Sequence, residues 1–469
     1  MALTENNRRR LGRINKNFFL HIHASKVHPH SLKTTYTFGL GVMLGFLFVI
    51  MILTGVILMM NYTPSVDRAY NSVKDIMFVL PGGRYIRNIH RWAAHGMVII
   101  SFLHLIRVFF TGGYLAGRRR NWIFGVVILF LVMFMNFSGY LLPWDQLAFW
   151  AVTIGSNIAA SFRELTDILG ITQVLDIGGF IKRLLLGDEQ VGQATLSRFF
   201  MLHVVFLPVT LMILTGLHIW RIRKDGGISR PANIAAANND TLITGNSDTT
   251  TMADSGASQK IYTWPVVMVA ELGILLLTAA VLLSMAFLFD APLLEEANPA
   301  FPENPAKSPW YFLGIQELVS YSAFAGGVVI PLLFLTFLIS IPYIDREDEH
   351  IGVWFSGRMG RHTTWRSILF AMIVTMALVF VIVRYGWLNT WFPGTPRFLV
   401  MLINPATLSA LFYILWAKWT WRRTRSSRMS AMSLFTCTMT GFIIYTTIGI
   451  WFRGPNWEFF WSSAQWPVF

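Results

Sequence analysis

The sequence predicts an all-α integral membrane protein of about nine transmembrane helices. Three observations carry that prediction. Hydrophobic residues make up 54% of the 469 positions and charged residues only 13%, a balance too apolar for an ordinary water-exposed surface. Apolar runs long enough to cross about 30 Å of hydrocarbon recur along the whole chain, and they are too long for barrel strands. The net charge of +14 is gathered in alternate loops, which argues for a lipid bilayer and against a nucleic-acid partner.

The spans fall at about 37–60, 90–111, 122–142, 199–221, 264–288, 322–343, 367–385, 397–418 and 431–452. Arg8, Arg9, Arg10, Arg13 and Lys16 precede the first span, Arg118, Arg119 and Arg120 the third, and Arg221, Arg223 and Lys224 follow the fourth. Arg358, Arg361 and Arg366, then Lys418, Arg422, Arg423, Arg425 and Arg428, fill later loops of the same face. The positive-inside rule makes that face, with the N-terminus, cytoplasmic (n side) in a bacterial inner membrane, and nine spans put the C-terminus on the opposite (p) side. No cleavable signal is apparent, because the first apolar run has span length. The single cysteine, Cys437, lies within the last span and reads as a buried thiol, which excludes disulfides and cysteine-held metal clusters within the chain.

Five segments follow from this pattern. They are a basic n-side arm at 1–36, a four-span unit at 37–230, a flexible n-side linker at 231–260, a C-terminal unit at 261–345, and additional transmembrane helices with an aromatic p-side tail at 346–469. The linker reads "NNDTLITGNSDTTTMADSGASQK", polar and without apolar periodicity. The p-side loops at 143–198 and 289–321 are long enough to cap a site.

The informative residues are histidines inside spans. His90 and His104 are fourteen residues apart in the second span, close to four helical turns and about 21 Å along the axis. His203 and His218 are fifteen apart in the fourth. Since the two spans run in opposite directions, His90 meets His203 on the p side and His104 meets His218 on the n side. Ionisable side chains in a membrane need partners, and the economical partner for two facing imidazole pairs is a pair of non-covalent b-type hemes in a four-helix bundle. Gly41 with Gly55, and Gly125 with Gly139, repeat the fourteen-residue spacing and would let a flat macrocycle press on the backbone. Small-residue helix packing, which Gly41 and Gly45 could equally serve, is the alternative. Arg87 and Arg107 sit three residues outside the ligands, where bidentate pairing with heme propionates is available. Arg198 is a third candidate, with snorkelling to lipid phosphate as its other reading. With histidine at both axial positions no iron site is open, so such hemes carry electrons. His21, His23, His28 and His30 lack carboxylates or cysteines at ligand spacing and read as an interfacial segment on lipid headgroups.

The strings "HRWAAHGMVIISFLHLIRVFFTGGY", "SGYLLPWDQLAFWAV" and "GQATLSRFFMLH" resemble the cytochrome b family of quinol–cytochrome c and plastoquinol–plastocyanin reductases, over roughly 35–345. The fifteen-residue spacing, "PWDQ" and "RIRKDGG" resemble the chloroplast-type branch, in which the protein is split where this chain has its linker; here both halves are fused. The resemblance implies a two-heme subunit of a Rieske/cytochrome b complex working a Q cycle. Quinol is oxidised on the p side, one electron passes to a Rieske iron–sulfur protein, and the other crosses both hemes to an n-side quinone. A c-type cytochrome and a dimeric assembly are the further partners it implies. The p-side pocket maps onto Tyr140, Pro143, Trp144 and Phe149 with Trp310 and Tyr311 of "KSPWYFLG", but Pro309 stands where the family motif has glutamate. Quinol oxidation needs a proton acceptor within reach, so Asp145, Glu303, Glu317 or Tyr311 is expected to substitute, each acid being otherwise a solvated loop charge. At the n side Arg223 matches a quinone-site position and Asp225 is a candidate proton donor, though Arg223 also reads as a plain positive-inside arginine. No cysteine lies near the first span, so no covalent heme is expected. The tail "WFRGPNWEFFWSSAQWP" reads as a partner-docking segment or an interfacial aromatic belt.

Two other readings compete. A diheme membrane anchor of another oxidoreductase shares the bis-histidine hemes but does not account for "SPWYF" or the extra spans. A proton-relaying transporter predicts no heme absorption, so a reduced-minus-oxidised optical spectrum separates it from both.

Overall fold

Helices appear wherever long apolar stretches leave the backbone no partner but itself. The computed structural model describes residues 26–225, 227–231 and 261–467. Arg8, Arg9, Arg10, Arg13, Lys16, His21, His23 and all but the first residue of the linker lie outside the described residues. Among the described residues, fourteen helices of seven or more residues organise the part built around the spans: α1 Leu40–Met60, α2 Ala69–Phe78, α3 Gly83–Phe110, α4 Arg119–Tyr140, α5 Gln146–Ala160, α6 Phe162–Ile168, α7 Ile177–Leu186, α8 Gln193–Lys224, α9 Thr263–Leu288, α10 Trp310–Tyr321, α11 Ala325–Ile344, α12 Arg358–Tyr385, α13 Pro405–Thr424 and α14 Ser427–Trp451. A two-residue antiparallel pairing of Lys26–Val27 with Ile261–Tyr262 interrupts the all-α pattern.

Eight of these helices are long and apolar enough to cross a membrane: α1, α3, α4, α8, α9, α11, α12 and α14. The ninth expected span is present as α13, but Trp416, Lys418, Trp419, Trp421, Arg422 and Arg423 in its last turns make it too polar to join the eight by composition. It also starts at Pro405 and not at 397, because Asn404 caps it: the Asn404 side chain accepts from the amides of Ala406 and Thr407, and Pro405 supplies the fixed φ of a first turn. Hydropathy likewise placed the starts of α3 and α12 seven and nine residues late. Both helices run on past the hydrocarbon through Arg84, or Arg358 and Arg361, whose charged heads water can reach.

Packing is sequential and local. α1 lies against α3, α8 against α4, α9 against both α3 and α1, and α11 against α4. α12, α13 and α14 form a triangle, with α14 also carrying α10. Lipid removes the hydrophobic drive between helices, so close packing and polar ties decide the arrangement. Phe109 of α3 stacks on Phe435 of α14 at 4.1 Å between centroids, joining the first part of the chain to the last span. Arg428 donates to Asp345 at 3.0 Å, and the Tyr114 hydroxyl reaches the same carboxylate at 2.7 Å, all three buried. Gly39, with φ of +63°, fits where a Cβ would lie 2.5 Å from Ile274 of α9.

Among the described residues, wide helical turns with one residue more than an α-turn occur at Leu202–Phe206 and Ala325–Val329, and a kink at Thr263–Val267, where Trp264 is extended (φ −95°, ψ 130°). Each contains or is closely followed by a proline, Pro208, Pro265 and Pro331, whose missing N–H relieves the regular ladder there.

Candidate functional site

The four histidines converge as two pairs. The His90 and His203 rings have centroids 6.3 Å apart with planes at 73°, and the His104 and His218 rings 6.4 Å apart at 75°. Two imidazole nitrogens each bonded to one metal at about 2 Å, with ring centres roughly 1 Å behind them, would stand about 6 Å apart. The pairs therefore fit a shared metal between them, and they are too far apart for a direct hydrogen bond between their nitrogens.

The wide turn at Leu202–Phe206 explains the unequal spacings. At about 100° per residue, fourteen α-helical steps return close to the starting face, whereas fifteen overshoot it. One wide turn absorbs the additional residue, so the fifteen-residue interval of α8 aligns with the fourteen-residue interval of α3.

Each ring rests on a glycine of a neighbouring helix. A Cβ on Gly55 would lie 3.3 Å from His90 Cε1, one on Gly125 3.4 Å from His218 Cε1, and one on Gly41 3.8 Å from His104 Cε1. A Cβ on Gly139 would overlap the His203 ring outright. Gly45, the packing alternative, has open space instead. Beside two of these glycines stand hydroxyl residues that the sequence reading missed. Thr54 Oγ1 is 2.9 Å from His90 Nδ1, and His203 Nδ1 is 3.1 Å from both Ser138 Oγ and the Met135 carbonyl. Such contacts engage Nδ1 and leave Nε2 for a metal. The signal was present as the dipeptides Thr54-Gly55 and Ser138-Gly139, which the other two glycines lack.

The arginines divide. Arg107 donates to the Tyr36 carbonyl at 3.1 Å, lies 4.3 Å over the Tyr36 ring, and keeps Nη2 buried without a hydrogen-bond partner, which suits an anionic group such as a propionate. Arg87 reaches the carbonyls of Ala291 and Pro292, both at 2.7 Å, while still facing the cavity beside His90. Arg198 instead donates to the carbonyls of Arg183 and Leu184 at the end of α7 and is absent from that cavity's wall.

The cavity runs from the His90 and His203 rings, past Gly55 and Gly139, to Tyr140 and Tyr311. Asp145, Glu303 and Glu317 do not line it. Asp145 caps α5 by accepting from the Ala148 amide at 2.9 Å and also accepts from Leu294 at 3.1 Å, stitching the two long loops together. Burial pushes its carboxyl above the ordinary value, against those hydrogen bonds and the charges of Arg87 and Arg91. Glu303 is half-buried, and burial followed by Asp145 and Glu295 raises it too. Glu317 is fully buried and bound to Arg453 at 2.5 Å, Trp457 at 2.9 Å and Tyr321 at 2.6 Å, which makes it an anchor for the segment after α14. Trp310 donates its indole N–H to His95 at 2.9 Å, and His95 with Arg91 lines the cavity. Neither was singled out from sequence.

At the other end Asp225 pairs with Arg221 at 3.1 Å and keeps Oδ2 buried without a hydrogen bond, while Arg223 occupies the last turn of α8. His28 caps a short turn by accepting from the His30 amide at 3.1 Å, and His30 packs on Tyr36. Cys437 is buried, with its thiol 3.5 Å from the Ser367 carbonyl.

Residues 24–226 match the family model described as Cytochrome b/b6/petB. The menaquinol:cytochrome c reductase cytochrome b subunit of Geobacillus thermodenitrificans is 40% identical over 206 residues, covering 44% of this chain and 86% of that protein. Cytochrome b6 of Prochlorococcus marinus is 40% identical over 207 residues, covering 88% of its own length. A cytochrome bc complex cytochrome b subunit of Chlorobaculum thiosulfatiphilum is 32% identical over 330 residues, 69% of each chain. A solved chain titled hyperthermophilic respiratory Complex III superimposes with a TM-score of 0.62 at 24% identity, covering 94% of this chain and 98% of that one, a likeness of fold.

Proposed function

The chain belongs to the cytochrome b family, the membrane-embedded subunits of bc-type quinol oxidoreductases, and on that premise we propose that it works as a two-heme electron conduit between a p-side quinol site and an n-side quinone site. The observation that carries the proposal is the pair of facing, glycine-bedded imidazoles at each of two depths. His90 with His203, and His104 with His218, would hold one b-type heme each through Nε2. Bound there, the hemes would supply one-electron transfer. Thr54 and Ser138 fix the ring planes at the p-side pair, and Arg107 meets a propionate at the n-side pair.

Tyr140 and Tyr311 wall the quinol cavity, and Trp310 fixes the start of α10, which brings Tyr311 there. The partners in this reading are a Rieske iron–sulfur protein and a c-type cytochrome in a dimeric complex, and the N-terminus is cytoplasmic. At the n side, the unsatisfied Oδ2 of Asp225 supports a proton-donating role beside a quinone, with Arg223 as its charged neighbour in sequence. The reduced-minus-oxidised spectrum of the purified chain tests the conduit. Two b-type bands are expected, and replacing either residue of one pair should remove one of them. Two bands surviving every single histidine replacement would sink the proposal.

A further inference from the structure

We propose that His95 is the proton acceptor of the quinol cavity, in the role left open by Pro309 in "SPWYF". The proposal rests on reading that cavity as the quinol site. His95 lies five residues after His90 on α3, roughly 140° around the helix, so it serves the outer part of the cavity while His90 serves the ring pair. Its ring stands 6.4 Å from that of Tyr311 and 6.3 Å from that of Trp310, between centroids.

The hydrogen bonding of this ring is what marks it. Trp310 directs its indole N–H at Nδ1 at 2.9 Å, and Arg91 directs its Nε–H at Nε2 at 3.0 Å. A neutral imidazole has one lone pair and one N–H, so it can accept from only one of these donors. Two donors therefore compete for one lone pair, and a quinol hydroxyl that displaces the donor holding it meets the nitrogen that can take its proton. The remaining titratable groups of the cavity wall are poorer bases. Arginines keep their protons, tyrosines ordinarily ionise near about pH 10, and His90 and His203 are assigned to iron. A neutral imidazole carries a lone pair that can take a proton.

In the step, a quinol O–H bond breaks and an N–H bond forms on His95. The accompanying electron leaves to the iron–sulfur partner named above, so the quinol loses one proton and one electron. The second proton and electron are outside the role of His95. Once protonated, both ring nitrogens carry hydrogen, and neither Trp310 nor Arg91 can keep its bond. The ring is thereby released to turn and discharge.

The test uses the heme-loaded complex carrying His95→Ala or His95→Gln, with both b-type bands checked first. Quinol turnover is expected to fall about 100-fold or more, the scale of a lost general base, and added imidazole should partly restore it in His95→Ala. A hydroxyquinone titrated against tryptophan fluorescence should bind more weakly to both variants. Wild-type turnover and hydroxyquinone binding in both, with intact bands, would overturn the role of His95. A quinone photoprobe separates that failure from failure of the site itself. Labelling of the segments carrying Tyr140 and Tyr311 supports the site, and labelling elsewhere overturns the site and this proposal together.

Discussion

The helices that carry the histidines and those that follow the loop of Trp310 are built on opposite principles. In the first region α1, α3, α4 and α8 meet across glycines and imidazoles, and Arg107 holds out a buried nitrogen with no partner. In the second, polar side chains turn to one another. Ser409 bonds Tyr445 at 2.7 Å, Thr375 meets Tyr413, Trp416 donates to Ser367 at 3.0 Å, and Arg453 closes on Glu317. One region is shaped for guests and the other for itself. Ligands that bind only the folded state add stability by mass action, so the first region should depend on its cofactors far more than the second.

The largest expected break comes from the guests. His203→Ala should abolish one b-type band completely and lower the thermal stability of the α1–α8 region, read by limited proteolysis with the tail left intact. Next in size is the anchor of the second region. Side-chain exposure is 0% for Glu317 and 9% for Arg453, so Glu317→Gln strands a buried charge and should cost about 3–5 kcal/mol in unfolding measurements on detergent-solubilised protein. Both bands should survive, and Glu317→Gln with Arg453→Met should recover part of the loss; an altered band would mean the two regions are not separable in this way. Glycine replacements grade the fit within the first region. Gly139→Ala should displace His203 and shift one band, while Gly41→Ala, with 3.8 Å to spare, should be near neutral. Thr54→Val removes one hydrogen bond to His90, worth about 1 kcal/mol, and should shift the midpoint potential of one heme only.

The smallest effect is set by acid. Burial opposes ionisation of Glu347, but hydrogen bonds from Ser426 and the Arg428 amide, the Arg428 charge and Ser427 together hold its pKa below the ordinary 4.5. A depressed carboxylate contributes stability that is present above its unfolded value and disappears as pH falls through the folded one. The contact between the 345–357 loop and the start of α14 should therefore loosen below about pH 4.5, and Glu347→Gln should flatten that dependence.

What could be read from sequence followed the cost of each residue. Four histidines in hydrocarbon demand partners, so His90, His104, His203 and His218 stood out, and the glycines stood out by sharing their spacing. Thr54, Ser138 and His95 did not, because a hydroxyl or a boundary histidine is inexpensive alone, and their meaning lies in Nδ1 atoms and an indole brought by other helices. Glu317 was misleading for the same reason. Its partner Arg453 lies 136 residues away, a pairing no local pattern encodes. The start of α13 was readable from Asn404-Pro405, but hydropathy drew attention to the apolar residues before it. The fold class needed only run length. The depths of α3 and α12 needed knowledge of where water begins.

The swollen turn at Leu202–Phe206 gives α8 slack. A helix that stores one residue there can surrender it without rotating what lies beyond. Deleting Val204 should straighten α8 and still leave both imidazoles on one side of the rod, whereas deleting one residue from the unswollen stretch between His90 and His104 should swing the second ring by about 100° and unseat it. Chain length along this membrane crossing is thus free to drift by one in one helix and fixed in its partner.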